Sequence, residues 1–451
     1  MKKNYIHELS KQFSSKEVSP VEFALETIDK LKRDSLNAII AFDEEAILGD
    51  AKAAEKRYHS GNPLSPLDGI PVGVKDNINT KGMQTTYGCE AYRNNIPEVD
   101  AHVIKSLKAA GAITSIKTNL AQFALGHTGE NSLNGVVKNP HNPEHIAGGS
   151  SSGSCAAVAA GMLPAAIGTD SGGSVRGPCS LCGLVGMKPT FSIVSNSGIM
   201  PNSEIMDSVG SISNDVVDNA LLLKGIVSYN ERDWHSSIAP DTGYSSRIGE
   251  SLANSKIVII SNCFEEGADP TIAKGCLDII EALKNDGVTF INKRLPDLSV
   301  FQNAHQICML AFAHSVHIKD VEDHSEFIDP QILKRLQQGD VSSAIYVEYE
   351  RKKHELVDLL LNIFEDADCL IYPTTSRTAS KIFDNDISPA DAAERMRRSY
   401  TWISSFSGFP DLTIPAGKSE NGLPYGVSLV GRPYSEANLY RIGARIMEMN
   451  A

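Results

Sequence analysis

Apolar and polar positions along this chain alternate with two periods, and the switches between them outline a fold. Val21, Ala24, Ile28 and Leu31 recur at three- and four-residue steps, which is one face of a helix. Ser19-Pro20-Val21-Glu22 precedes them as a capping box with proline at the first helical position, so a helix is predicted to begin there. A second helix is predicted near Glu44 to Tyr58. Gly69 to Val74 is a short apolar run that predicts a buried strand delivering Lys75. A helix opened by Asp100 and closed by Gly111 follows, then a strand from Ala112 to Lys117.

The pattern resumes downstream. Asn214-Asp215 opens a helix through Leu223, and Lys256 to Ser261 reads as a buried strand. Asp269-Pro270 starts a helix that Gly287 ends, before a strand from Val288 to Ile291. Leu295 to Asp368 is mostly helical and charged, and Ser342 to Asp366 reads as a surface helix. Leu412–Pro415 and Tyr425–Val430 flank Glu420-Asn421-Gly422, a hairpin signal, and a final helix follows. Helix–strand alternation of this kind predicts an α/β core with a largely parallel sheet. No repeat or linker divides the 451 residues, so one domain is expected, with a less regular, mostly helical excursion at about 230–350.

Composition narrows the function. Hydrophobic residues make up 41% and charged residues 22%, as in ordinary globular proteins. A net charge of −13 argues against general affinity for nucleic acid or anionic membrane. The uncharged run Ile146–Thr169 is rich in Gly and Ser and holds Pro164, so a buried soluble segment is expected rather than a membrane span. The N-terminus lacks a secretory pattern, which leads to a cytoplasmic expectation with free thiols for the eight cysteines. Cys179-Ser-Leu-Cys182 has no second cysteine pair to complete a zinc site, and no metal or other cofactor is expected.

The chemistry concentrates in Gly148–Thr190, where two serine–glycine loops flank a small-residue helix. Gly172-Gly173-Ser174-Val175-Arg176 permits a sharp turn whose backbone N–H groups converge on an anion. A developing oxyanion needs that convergence, and Ser174 stands where a nucleophile would. A structural turn or phosphate loop is the alternative for this motif taken alone. Gly148 to Ser154 leads into an alanine-rich helix, so most of its serines are expected as caps. Gly149–Gly153 fits the GxSxG elbow, but residues 139–145 are not expected to form the strand that elbow requires. His141–His145 fits HxxEH, but Pro143 argues against its helix. Solvated lysine is only about 0.04% neutral at pH 7, so Lys75 becomes a base only if burial without an anionic partner lowers its pKa.

Together the segments GIPVGVKDN (69–77), KTNLAQFALG (117–126), NGVVKNP (134–140), GGSSSGS (148–154), GTDSGGSVRGP (168–178) and CGLVGMKPT (182–190), with Asp207, closely resemble the amidase signature family. The resemblance implies an α/β/α sandwich around a large mixed, mostly parallel sheet, hydrolysis of amide C–N bonds, and a Ser–cis-Ser–Lys triad. The nucleophile then falls on Ser174, the cis serine on Ser150, the base on Lys75, and the oxyanion hole on the N–H groups of Ser171, Gly172, Gly173 and Ser174. A small-molecule amide substrate and a homodimer are family-level expectations. Two activities compete: a stand-alone amidase for small amides, and the glutaminase (A) subunit of the tRNA-dependent amidotransferase. Where the glutaminase resembles this chain and would place an aspartate for the glutamine ammonium, this chain has Arg398; its tyrosine-rich segment is replaced by Ser343–Glu350. These departures favour the stand-alone reading, with Arg398 a candidate contact for an anionic substrate group. A non-catalytic binding protein on the same fold is the reading from another class.

Overall fold

The structure is a computed structural model that describes residues 5–129, 131–296, 298–382 and 399–450. The strands are β1 (Ile39–Phe42), β2 (Val72–Lys75), β3 (Ile116–Thr118), β4 (Lys138–Asn139), β5 (Asn142–Ile146), β6 (Ala165–Asp170), β7 (Val185–Lys188), β8 (Ser208–Ser213), β9 (Lys256–Ile260), β10 (Thr289–Lys293), β11 (Cys369–Pro373), β12 (Asp411–Lys418) and β13 (Pro424–Gly431). Among the described residues, eleven of these form one sheet in the order β1-β3-β2-β6-β8-β7-β12-β13-β11-β9-β10. The sheet is mixed, as the amidase signature resemblance implies.

Parallel pairing is confined to the flanks, where β2 joins β3 and β6, and β9 joins β10 and β11. The centre is antiparallel, so the sheet is less parallel than helix–strand alternation predicts. The reason is topological. Strand β8 inserts between β6 and β7 and runs antiparallel to both, and β12 and β13 form the predicted hairpin.

Helices cover the sheet, several of them where capping signals announced them. Helix α1 is Ile6–Ser15, and α2 (Pro20–Lys32) begins with the full Ser19/Glu22 capping box. Helix α3 is Glu44–His59, and α4 is His102–Ala109. Asp100 does not cap α4 as predicted. Ala101 holds the N-cap position, and the Asp100 carboxylate accepts from the Lys81 N–H and from Lys108 Nζ at 2.8 and 2.7 Å. Helices α5 (Ser152–Ala159) and α6 (Arg176–Cys182) follow the two glycine–serine loops. They pack with α2 and α3 in a second core that runs from Ala24 and Ile47 to Ala157 and Cys179. Helix α7 (Val216–Ile226) starts at the predicted Asp215 cap.

The stretch read as an excursion divides in two. Strand β9, α8 (Pro270–Asn285) and β10 form a βαβ unit that enters the main sheet at its edge. Helix α9 (Leu298–Asp323) packs against both α10 (Pro330–Gln338) and α11 (Ser343–Ile363).

Residues 138–146 depart from expectation. Lys138–Asn139 and Asn142–Ile146 pair as a two-stranded ribbon apart from the main sheet. Pro143 is tolerated because the ladder joins Lys138 to Ile146 and Asn139 to Asn142, which leaves the proline outside it. The ribbon also means that His141–His145 is not helical. No helix of the described residues is long and apolar enough to cross a membrane, and the eight cysteines are free and buried.

Candidate active site

Strand β2 ends on Lys75, and its small and β-branched residues put that side chain in the interior, where it is fully buried. Lys75 Nζ lies 2.7 Å from Ser150 Oγ, 2.8 Å from Thr169 Oγ1 and 3.4 Å from the Thr169 carbonyl oxygen. No carboxylate lies within ion-pair distance of it among the described residues. Burial is the main cause that lowers its pKa to about 7, against the opposing pull of Asp170 and Asp207. Asp76 does not compete. It turns to Lys117, 3.3 Å away, and accepts from the Thr86 N–H and hydroxyl.

Ser150 follows Gly149 through a cis peptide bond. A side chain is excluded at Gly149, where a Cβ would stand 2.6 Å from the Gly126 carbonyl oxygen. The neighbouring serines are not the caps that were expected. Ser151 at the N-cap of α5 makes no capping bond, and its hydroxyl donates to the Thr169 carbonyl at 3.3 Å. Ser154 shares a hydrogen bond with Thr118 and donates to the Ile167 carbonyl, which ties α5 to two strands. A helix of small residues with a single Val sits close enough to the sheet for the Ser154 hydroxyl to reach a strand carbonyl.

Ser174 sits in the loop between β6 and α6, 8% exposed, on the wall of a cavity of about 680 Å³. The Ser151 N–H donates to the Ser174 carbonyl at 3.1 Å and so links the two serine loops. Asp170 anchors the second loop. Its carboxylate accepts from the N–H groups of Gly173 and Val175 and forms a buried ion pair with Arg176, 2.7 Å away. Burial alone would raise the Asp170 carboxyl, but Arg176 outweighs it and holds the group well below the usual carboxylate range. Arg176 also reaches Asp411, Ser404 and Ser405, so one guanidinium fastens the loop to β12 and the helix Trp402–Ser407.

The glycine nest therefore differs from its sequence reading at one position. The Gly173 N–H is taken by Asp170, which leaves the N–H groups of Ser171, Gly172 and Ser174 as the candidate anion donors. The Ser171 hydroxyl donates to Asp207, whose other carboxylate oxygen accepts from the N–H groups of Asn202 and Ser203. Burial pushes the Asp207 carboxyl up to about 6.

The cavity that exposes Ser174 has walls with weaker sequence signals. His127 follows β3 in the segment after Lys117–Gly126, His305 comes from α9, and Arg335 from α10. Burial lowers the His127 and His305 pKa values to about 3 and about 4, so both rings are neutral at pH 7. Arg335 is half-buried, its Nε is enclosed without a hydrogen-bond partner, and burial lowers its pKa. Among the described residues it makes no ion pair. An arginine within a polar amphipathic helix carries no sequence mark that separates it from a surface charge. Arg398 lies outside the described residues.

Comparison with known proteins identifies the family. The sequence profile of the family described as Amidase matches residues 21–440. The A subunit of the glutamyl-tRNA(Gln) amidotransferase from Agathobacter rectalis is 33% identical over 462 residues, covering 96% of this chain and 91% of that protein. The structure of the corresponding protein from Thermotoga maritima superposes with a TM-score of 0.84 at 29% identity, covering 100% of this chain and 95% of the other. A chain solved in work on a vestigial protein complex and the origins of an s-triazine catabolic enzyme reaches a TM-score of 0.91 at 28% identity, covering 99% and 98%. The chain belongs to the amidase signature family, enzymes that act on carbon–nitrogen bonds.

Proposed function

We propose that this enzyme hydrolyses the carboxamide of a small acid-bearing amide through an ester on Ser174. The observation that carries the reading is Lys75, a buried amine with no carboxylate beside it and Ser150 Oγ 2.7 Å away. A neutral amine has two protons and one lone pair. Its contacts with Thr169 Oγ1 and the Thr169 carbonyl occupy the two protons, which leaves the lone pair for the Ser150 hydroxyl.

The proton of Ser174 passes to Ser150 as Ser150 gives its own to Lys75, and Ser174 Oγ forms a bond to the amide carbon. The carbonyl oxygen becomes an oxyanion facing the N–H groups of Ser171, Gly172 and Ser174. The C–N bond then breaks, and the proton held by Lys75 returns through Ser150 to the departing nitrogen. Water attacks the ester over the same relay, releasing the acid and restoring Ser174.

Arg335 supports the acid-bearing class. A half-buried cation on the cavity wall, with no carboxylate in ion-pair contact among the described residues, gains most from an anionic ligand that supplies one. Glutamine fits that description. Its favour as the substrate comes from the amidotransferase relative at 33% identity, which would make the enzyme the ammonia-releasing member of a complex. The departures at Arg398 and Ser343–Glu350 favour a stand-alone amidase instead. Ammonia release from glutamine, malonamate-like acids, neutral primary amides and aryl amides tests the proposal. Acid-bearing amides are expected to lead, with a seryl adduct at Ser174 visible by intact mass. Turnover of neutral amides alone, or an adduct elsewhere, would overturn it.

A further inference from the structure

Helix α9 lies about 130 residues from the serine loops in sequence, yet one of its side chains reaches the backbone of the nest. His305 Nε2 is 2.9 Å from the Ser171 carbonyl oxygen. The ring is 6% exposed and meets Phe406 edge-on, with centroids 6.0 Å apart and planes at 83°. It sits against Gly172 closely enough that a Cβ there would stand 2.9 Å from His305 Cε1. A carbonyl oxygen only accepts, so the contact requires Nε2 to carry the proton. Burial, which keeps the ring neutral at pH 7, makes this the Nε2–H tautomer.

The next peptide is held separately. The Gly172 carbonyl accepts from Thr401 Oγ1 at 2.8 Å, and the Gly173 N–H donates to Asp170 at 2.7 Å. Both faces of the Gly172–Gly173 amide are therefore occupied. The amide before it, joining Ser171 to Gly172, has its carbonyl engaged by His305. The peptide unit is planar, and its C=O and N–H point in opposite directions, so fixing the carbonyl fixes the N–H. Glycine at 172 and 173 leaves this backbone little rotational restraint of its own.

We propose that His305 is a positioning residue: by holding the Ser171 carbonyl it aims the Gly172 N–H at the oxyanion formed on Ser174. This inference rests on the seryl mechanism above. The donor costs nothing to reorganise during reaction because a buried ring on a 26-residue helix holds it beforehand. The stretch that patterning marked as a less regular, mostly helical excursion thus supplies an outer support of the catalytic loop.

The test compares His305→Met, which keeps bulk and helix propensity but removes the donor, with His305→Gln, whose side-chain amide restores one. His305→Met is expected to lower kcat about 10²-fold, the order seen when a single oxyanion donor is lost, with KM changed less than about threefold. His305→Gln is expected to recover most of that loss. A boronic acid that becomes tetrahedral on Ser174 should weaken for the Met variant by the same factor as kcat/KM, whereas affinity for the unreacted amide on a Ser174→Ala background should not change. Wild-type kcat in His305→Met, or an effect confined to KM, overturns the inference and leaves the mechanism standing. If His305→Met does not fold, a His305→Gln enzyme with tenfold or greater loss of both boronate affinity and kcat overturns it, and near-wild-type values of both support it. Hydrolysis that survives Ser174→Ala overturns the mechanism and the inference together.

Discussion

Two regions meet across the cavity, and they are built on opposite terms. Helix α5, behind the first serine loop, buries seven of its eight residues, all small or β-branched. Helix α11, in the helical cover, buries two of twenty-one, Leu356 and Leu360. The first region locks its polar groups to the sheet with hydroxyl–carbonyl bonds and a buried arginine–carboxylate network. The second rests on the core by apolar stripes and sends polar side chains, His305 and Arg335 among them, into the cavity. The difference teaches where each kind of information resides. Chemistry that needs fixed geometry sits in a close-packed interior, where a displaced methylene is felt. Recognition sits on amphipathic helices whose outer faces are free to vary. The comparison predicts that damage to the first region stops turnover, whereas damage to the second, apart from His305, which braces the nest, changes which amide is turned over.

The largest effect is expected at the nucleophile. Ser174→Ala should lower kcat by about 10⁴-fold or more and leave the melting temperature within a few degrees, because the side chain loses one hydroxyl on a cavity wall. Lys75 should follow closely and also set the pH dependence. Hydrolysis requires the neutral amine, so activity is present above the folded pKa of about 7 and is lost as pH falls through it. The kcat/KM profile between about pH 5 and 9 should show half of its plateau near pH 7 and drop about tenfold per unit below. Lys75→Arg, always charged and with no lone pair to offer, should be inactive at every pH in that range. A flat profile would mean that the amine is not the base.

These residues were legible because catalysis forces unusual local sequence. Glycine pairs beside serines, a lysine after an uncharged strand and a long charge-free run are costly unless geometry demands them. Capped helices such as α2, α7 and α8 were legible for the same local reason, since Ser19, Asp215 and Asp269 accept from N–H groups two or three residues away. Sheet direction was not legible, because β8 enters between β6 and β7 through contacts distant in sequence. The Asp170–Gly173 bond, which removes one donor from the nest, is also invisible in a motif. His305 and Arg335 were missed because a helix's polar positions look alike until the fold shows which of them meet a cavity.

The next effect in size tests that last point. Arg335→Met removes the cation but keeps much of the stem. For an acid-bearing amide KM should rise about 10- to 100-fold, the order of a lost charge-assisted hydrogen bond, with kcat nearly unchanged. For a neutral amide of the same length, kcat/KM should change by less than about threefold. Equal losses on both substrates would place Arg335 in the scaffold and erase the division between chemistry and recognition drawn above.

The smallest effect sharpens the comparison from the side of stability. Both regions contain helices that begin on serine caps: Ser19 of α2, beneath the catalytic core, and Ser342 of α11, in the cover. Ser19 Oγ accepts from the N–H groups of Val21 and Glu22 at 3.0 and 3.2 Å, and the Glu22 side chain returns the bond. Ser342 Oγ accepts only from the Ile345 N–H, at 3.3 Å. Ser19→Ala should cost about 1 kcal/mol and Ser342→Ala about half of that, read as melting-temperature shifts of roughly 1–2 °C or less in a chain of this size. Neither cap touches the cavity, so kcat and KM should stay at wild-type values in both variants. If Ser342→Ala instead raised KM beyond its effect on stability, the pose of α11 would be coupled to substrate binding. The cover would then be a mechanical part of the site rather than a wall that lends it side chains.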